Sequence, residues 1–167
     1  MNAIVIVDQN WAIGCEDHLL FDLPTDMKHF RTLTQGGTVI LGRRTLESFP
    51  GGRPLPQRRN IVLTHRPGFQ REGAEVVHNP QEALALAAQT PENEIWVIGG
   101  SSVYTALLSK CRKVYLTKVE AKAPEADSFF PNLDKLPKWQ QVAESEPMEE
   151  NGLRFRFLTY ENQALQE

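Results

Sequence analysis

The chain of 167 residues carries 18 basic and 21 acidic side chains, a net charge of −3, with 41% hydrophobic and 23% charged residues. Such a length is expected to form one domain over residues 1–167 that buries roughly 70% of its unfolded surface, and the composition is that of an ordinary soluble globular protein. The balance of charge gives no global nucleic-acid footprint. Cys15 and Cys111 form no C-x-x-C pair, and no stretch approaches membrane-spanning length, so a reduced cytoplasmic protein is the expectation.

Ala3–Val7, apolar and without a basic lead, reads as a buried strand and not as a signal peptide. A long loop through Gly14 to Phe21 follows. Pro24 then opens a helix, because its fixed φ and missing N–H suit the first helical position. Thr38–Leu41 is a second strand, stopped by Gly42 and followed by a helical Arg44–Phe49. Asn60–Thr64 and Ala74–Val77 read as strands. Asn79-Pro80-Gln81-Glu82 is a helix start with Asn as N-cap, Pro at N1 and Glu at N3, and the alanine-rich Ala83–Gln89 continues it. Ile95–Ile98 is a wholly apolar strand, Gly99-Gly100-Ser101-Ser102 leads into a helix over Val103–Ser109, and Val114–Val119 is a further strand. From Trp139 the tail reads as a terminal hairpin, with Glu150-Asn151-Gly152 as the turn before Leu153–Tyr160. Strands and helices alternate to about residue 110 and β structure dominates afterwards. That order predicts an α/β fold: a mostly parallel, twisted central sheet with helices on both faces and a C-terminal antiparallel hairpin.

The helix opened by Pro24 carries Leu23, Met27 and Phe30 at helical spacing, so that face is expected to turn inward. Asp26 lies on its rim. It is either a helix-start carboxylate favoured by the macrodipole or an acid awaiting a cationic or hydrogen-bond-donating ligand, and this segment alone leaves both open.

In a sheet of this kind ligands bind at the carboxyl ends of the strands, where helix N-termini present free amides. Val39-Ile40-Leu41-Gly42-Arg43-Arg44-Thr45 and Val97-Ile98-Gly99-Gly100-Ser101-Ser102 are two such strand–Gly–helix junctions, suited to holding a pyrophosphate from both sides; each alone also reads as ordinary turn glycines. Neither is the dinucleotide fingerprint G-x-G-x-x-G. Leu63-Thr64-His65-Arg66 sets a hydroxyl, an imidazole and a guanidinium side by side. With Arg43 this suits a terminal phosphate monoester, as in NADP, and otherwise it is a solvated basic loop. No G-x-S-x-G elbow, H-E-x-x-H or phosphate loop occurs. His18, His29, His65 and His78 show no metal-ligand spacing, and the three tryptophans read as packing.

Taken together these segments resemble the bacterial dihydrofolate reductases over nearly the whole chain. The resemblance rests on Trp11-Ala12-Ile13-Gly14, Leu23-Pro24-Thr25-Asp26-Met27-Lys28-His29-Phe30, Val39 to Ser48, Arg53 to Thr64, Val97-Ile98-Gly99-Gly100, Tyr104 and Tyr115-Leu116-Thr117, in order and spacing. It implies an NADPH-dependent reduction of 7,8-dihydrofolate, with antifolate-type inhibitors as further ligands and a monomer that binds neither membrane nor nucleic acid. By similarity Asp26 grips the pterin 2-amino group and N3, and Thr117 supports that carboxylate. Phe21 and Leu19 are implied as its catalytic neighbours. Ile4, Val5, Met27, Phe30, Phe49, Leu55, Ile98 and Tyr104 are implied around the substrate, and Arg58 at the α-carboxylate of its glutamate tail. Ile6, Ile13, Gly14, Gly42, Arg43, Arg44, Thr45, Leu63, Thr64, His65, Ile98, Gly99, Gly100, Ser101, Ser102, Val103 and Tyr104 are implied around the cofactor, with a cis Gly99–Gly100 bond and no metal. The loop Trp11–Phe21 is expected to close over the nicotinamide.

The chain departs from the family pattern in four places. Phe21 stands where Trp is usual, and Leu20 where Pro is usual. Glu125-Ala126-Asp127 lacks the customary middle glycine and follows an apparent one-residue insertion. Phe49-Pro50-Gly51-Gly52 is about two residues longer than in some relatives. These bear on loop closure and proton delivery. The nearest rival is a reductase of the same fold acting on another heterocycle, such as the pyrimidine of riboflavin synthesis; Asp26, Phe30 and Arg58 speak for a pterin with an acidic tail instead.

Overall fold

The computed structural model describes residues 1–15 and 18–165. In chain order the elements are β1 (Asn2–Val7), β2 (Ala12–Cys15), β3 (His18–Leu19), α1 (Pro24–Thr34), β4 (Thr38–Gly42), α2 (Arg43–Ser48), β5 (Arg59–Leu63), β6 (Ala74–Val77), α3 (Pro80–Ala87), β7 (Ile95–Gly99), α4 (Ser101–Leu107), β8 (Lys113–Val119), β9 (Ser128–Phe129), β10 (Trp139–Glu144), β11 (Met148–Glu150) and β12 (Leu153–Asn162). Short 3₁₀ turns lie at Pro50–Gly52, Glu92–Glu94, Leu108–Lys110 and Leu133–Lys135.

The main sheet runs β10-β12-β8-β1-β7-β4-β5-β6, with β11 also paired to β12. Its centre, from β8 through β6, is parallel, and β12 runs antiparallel to β8, β10 and β11. The central strands are apolar at successive positions because both faces are covered. Ile4, Val39, Leu41, Val62 and Trp96 face Leu46 of α2 and Phe30 and Leu33 of α1. The alternate residues Ala3, Val5, Val7, Ile40, Ile61 and Val97 face Ala83 and Ala87 of α3 and Val103, Tyr104 and Leu107 of α4. A third cluster, Leu23, Val119 and Phe155 with Ile6, Phe21 and Phe157, extends the core toward the start of α1.

Several elements differ from the sequence-based expectation. The stretch Gly14–Phe21 is not simply a loop: β2 pairs with β3 and, across more than a hundred residues, with β9. Glu16 and Asp17, also in that stretch, lie outside the described residues. α4 starts at Ser101, two residues early, because Gly100 rather than Ser102 takes the N-cap position, and its last turn tightens into the 3₁₀ turn Leu108–Lys110. α2 runs Arg43–Ser48, with Phe49 already extended, and α3 stops at Ala87. Its start is as read, with the Asn79 side chain accepting from the Glu82 amide at 2.9 Å. The tail does turn at Asn151–Gly152, both with positive φ as a tight hairpin turn demands. However, β12 inserts between β8 and β10, so the hairpin is built into the sheet and not appended to it.

Candidate active site

The site begins as a gap in the sheet. β1 pairs with β8 along its whole length, Asn2 to Val7, but its pairing with β7 covers Asn2 and Ala3. The register of β4 on β7 also slips between Ile40 and Leu41. The central strands therefore part toward their carboxyl ends, the place where open α/β sheets receive ligands. The cleft there measures about 1810 Å³. That exceeds the roughly 300–1,000 Å³ of a typical single-ligand pocket and leaves room for two molecules side by side.

One wall is α1. Leu23, buried in the third cluster, fixes its entry, and Pro24 sits at the first helical position. Phe30 and Met27 line the cleft with Asp26. Met27 remains 43% exposed, so the expected inward face is partly a wall of the open cleft and not core. Asp26 accepts a 2.5 Å hydrogen bond at Oδ1 from the Thr117 hydroxyl of β8. Burial holds its carboxyl above the usual carboxylate range; the Thr117 bond opposes that rise, and the charge of Glu150 adds to it.

The other end of the cleft is polar. Gly42 and Gly100 are the N-cap residues of α2 and α4, and neither helix has a side-chain cap on its first-turn amides. The residues of both helix starts, Gly42–Thr45 and Gly99–Ser102, line the cleft. Gly99 has φ +126°, a conformation that favours glycine. A Cβ on Gly100 would crowd Thr45 Oγ1 at 3.4 Å and one on Gly42 would meet Val103 at 3.3 Å. The Gly99–Gly100 peptide is cis. Arg43, Arg44, Thr64, His65 and Arg66 form a basic rim beyond these turns. Arg43 is paired with Glu47 at 2.6 Å, and Thr64 is buried, its hydroxyl accepting from the Arg66 amide at 3.1 Å.

The family model described as "Dihydrofolate reductase" matches residues 1–162. The chain belongs to the dihydrofolate reductase family. With that membership comes an NADPH-dependent reduction as its class of reaction. It is 37% identical over 160 residues to the dihydrofolate reductase of Bacillus subtilis, covering 95% of this chain and 92% of that one. It is 38% identical over 145 residues to the type 3 dihydrofolate reductase of Salmonella typhimurium, covering 87% of this chain and 86% of that protein. Among solved structures it is similar to the dihydrofolate reductase of Enterococcus faecalis complexed with NADP(H) and RAB-propyl. That likeness has a TM-score of 0.85 at 37% identity, over 96% of this chain and 94% of that one.

Most residues that the dihydrofolate reductase resemblance implies lie on this one cleft: Ile4, Val5, Ile6, Ile13, Gly14, Leu19, Phe21, Phe49, Leu55, Leu63, Ile98 and Tyr104 join those already named. Three do not line it. Thr117 reaches it through Asp26. Val103 is 3% exposed and packs in the core behind Gly42. Arg58 stands at the far end of α1, donating to the Pro56 carbonyl at 3.0 Å and to Thr34 Oγ1 at 3.1 Å; burial and the charge of Arg31 hold its guanidinium below its usual range.

The cleft also takes Leu20, Asp22, Ser48, Pro50, Arg66, Asp127 and Ser128, which the sequence reading left out of the site. Arg66 had a signal, since it closes the basic strand end. Asp127 and Ser128 had none in local pattern: they arrive because the Asp127 amide donates to the Gly14 carbonyl at 3.0 Å and Ser128 pairs with Gly14. Phe21 is half-buried against the third cluster. The lengthened Phe49–Gly52 stretch closes on itself as a 3₁₀ turn, and Arg71 donates to the Gly52 carbonyl.

Proposed function

We propose that the protein reduces 7,8-dihydrofolate to tetrahydrofolate, with Asp26 as the anchor of the pterin. The observation that carries this reading is a half-buried carboxylate, Asp26, braced by Thr117, in the same cleft as two uncapped glycine-led helix starts and a basic rim.

The donor set suits NADPH. Gly42–Thr45 and Gly99–Ser102 would hold its pyrophosphate through helix-start amides, and Arg43, Thr64 and His65 would hold the 2′-phosphate. When bound, NADPH supplies the hydride for C6. Asp26 faces the pterin 2-amino group and N3, two donors that an ionised carboxylate accepts together. Its negative charge, little screened in the cleft, favours a protonated pterin, which makes the imine a better electrophile. Asp26 lies on α1 and acts as anchor and electrostatic partner, with water carrying the proton to N5. Phe30, Phe49 and Leu55 pack the aromatic middle of the substrate, and Arg58 pairs with its tail carboxylate. Ile13, Gly14, Leu19 and Phe21, cleft-lining residues of the Trp11–Phe21 stretch, help to exclude bulk water so that the two rings meet at near-attack distance. The reading includes a monomer at work in the cytoplasm, open to antifolate-type inhibitors at the same cleft.

The test is the loss of NADPH absorbance on adding dihydrofolate, with NADH run in parallel. Turnover with a clear preference for NADPH is expected. No dihydrofolate-dependent oxidation would overturn the substrate, and in that case the pyrimidine of riboflavin synthesis is the next compound to assay.

A further inference from the structure

Leu23, at the N-cap position of α1, offers no side-chain acceptor to the helix start. The acceptor comes from 125 residues away. Glu150 Oε1 accepts from the Thr25 amide at 2.9 Å, and Glu150 Oε2 accepts from the Thr25 hydroxyl at 2.6 Å. The next residue, Asn151, donates from Nδ2 to the Asp22 carbonyl at 3.2 Å. The turn between β11 and β12 thus holds the segment that leads into α1 by two consecutive side chains. The same β12 that carries this turn places Phe157 opposite Thr117 of β8. Asp26 is therefore held from two sides by one connected piece of sheet, directly by Thr117 and through its neighbour Thr25 by Glu150.

Glu150 does not line the cleft, and no step of the reaction uses it. Its carboxylate favours the helix, because a negative charge at a helix N-terminus is stabilising. It disfavours a second negative charge on Asp26, in the same sense as burial. The other titratable groups around Asp26 are few. Tyr104 of α4 is buried and donates to the Ile4 carbonyl, Asp22 shares the cleft, and His29, one turn along α1, stacks on Phe157 at 4.0 Å. Lys118, next to Thr117 in β8, sits over the Trp11 ring on the other face of the sheet.

We propose that Glu150 is a positioning residue of the active site: it caps α1 in trans through Thr25 and fixes the turn that carries Asp26. The proposal rests on Asp26 as the pterin anchor.

The test compares Glu150→Gln, which keeps an acceptor for the Thr25 amide but not the charge, with Glu150→Ala, which keeps neither. Two readouts need no substrate: the carboxyl ¹³C titration of Asp26 and hydrogen exchange at the Thr25 amide. In both variants the Asp26 midpoint is expected to fall. That difference from the native protein should shrink as ionic strength rises from about 0.01 M to about 1 M, over which the Debye length drops from about 30 Å to about 3 Å. Thr25 exchange stays slow in Glu150→Gln and quickens in Glu150→Ala, where KM for dihydrofolate also rises, by about fivefold, the scale of a lost helix cap. The alkaline limb of kcat moves to lower pH in both. An unchanged Asp26 midpoint in the two variants, or native Thr25 exchange in Glu150→Ala, overturns the proposal. Because these readouts are taken without ligand, they answer for Glu150 alone; a native protein that fails to turn over dihydrofolate would instead count against Asp26 as pterin anchor.

Discussion

Tyr104 donates its hydroxyl to the Ile4 carbonyl at 2.6 Å, from the helix that follows β7 to the strand that β7 has just left. Where β1 and β7 no longer pair, a side chain supplies the missing donor. Burial pushes the Tyr104 hydroxyl well above its ordinary range, so it remains a donor near neutral pH. Tyr104→Phe leaves that carbonyl to water in the cleft. The expected loss is about 1 kcal/mol of stability, read as a fall in Tm of roughly 2–4 °C.

Asp26→Asn preserves shape and still accepts from Thr117, so the fold should persist while activity near neutral pH falls by about a hundredfold or more. The same variant tests the sign of the linkage. An acid whose folded pKa is raised above 3.8 makes folding less favourable as pH climbs through that window, because the native state holds its proton longer than the unfolded chain. Asp26→Asn is therefore expected to be the more stable protein above the raised pKa. The two proteins should converge as pH falls toward the unfolded value, a comparison that denaturant titrations at several pH values settle.

Thr117→Val removes the 2.5 Å bond that lowers the Asp26 pKa. The Asp26 titration should move further upward, opposite to the direction expected when Glu150 loses its charge. A hydrogen bond to a charged group contributes about 1.5–3 kcal/mol, so kcat/KM for dihydrofolate should drop by about tenfold or more. An unmoved titration would show that Thr117 does not support the carboxylate.

Arg43→Gln separates cofactor recognition from stability. Its ion pair with Glu47 is an exposed i, i+4 pair, a class worth roughly 0.3–0.5 kcal/mol, and Tm should barely change. A contact to phosphate is worth more, so KM for NADPH should rise by about tenfold while NADH kinetics stay as they were. Equal effects on both cofactors would remove Arg43 from the 2′-phosphate.

Phe21→Trp restores an indole N–H where the ring already lines the cleft and packs on the third cluster. A donor able to hold one ordered water there should change ligand affinity or turnover by about fivefold. No change in either would show that this departure from the family pattern is silent.

The sequence read the elements that depend on local rules and missed those assembled at a distance. Pro24 and the Asn79–Glu82 cap announced their helices because φ and capping are local properties. The glycine-led strand ends were legible because the order of strand and helix already told where ligands gather. Strands β2, β3 and β9 were not, since runs of two to four residues carry no usable period and their partners lie far along the chain. Val103 followed the family pattern into the cofactor set, but its helix turns it to the core. Asp26 was ambiguous from its own segment alone; the family resemblance paired it with Thr117, 91 residues on, whose hydroxyl donates to it.

The short pairing of β1 with β7 has an energetic side. Around the cleft β1 and β7 pair at Asn2 and Ala3 and Tyr104 bonds Ile4, so a seam opens between two parts of the sheet that a shared core joins on one face. A ligand lying in that seam touches both parts at once and works as a wedge that binds them together. Occupancy and fold stability are then one equilibrium, and filling the cleft at a hundred times the dissociation constant adds about 2.7 kcal/mol to the whole protein.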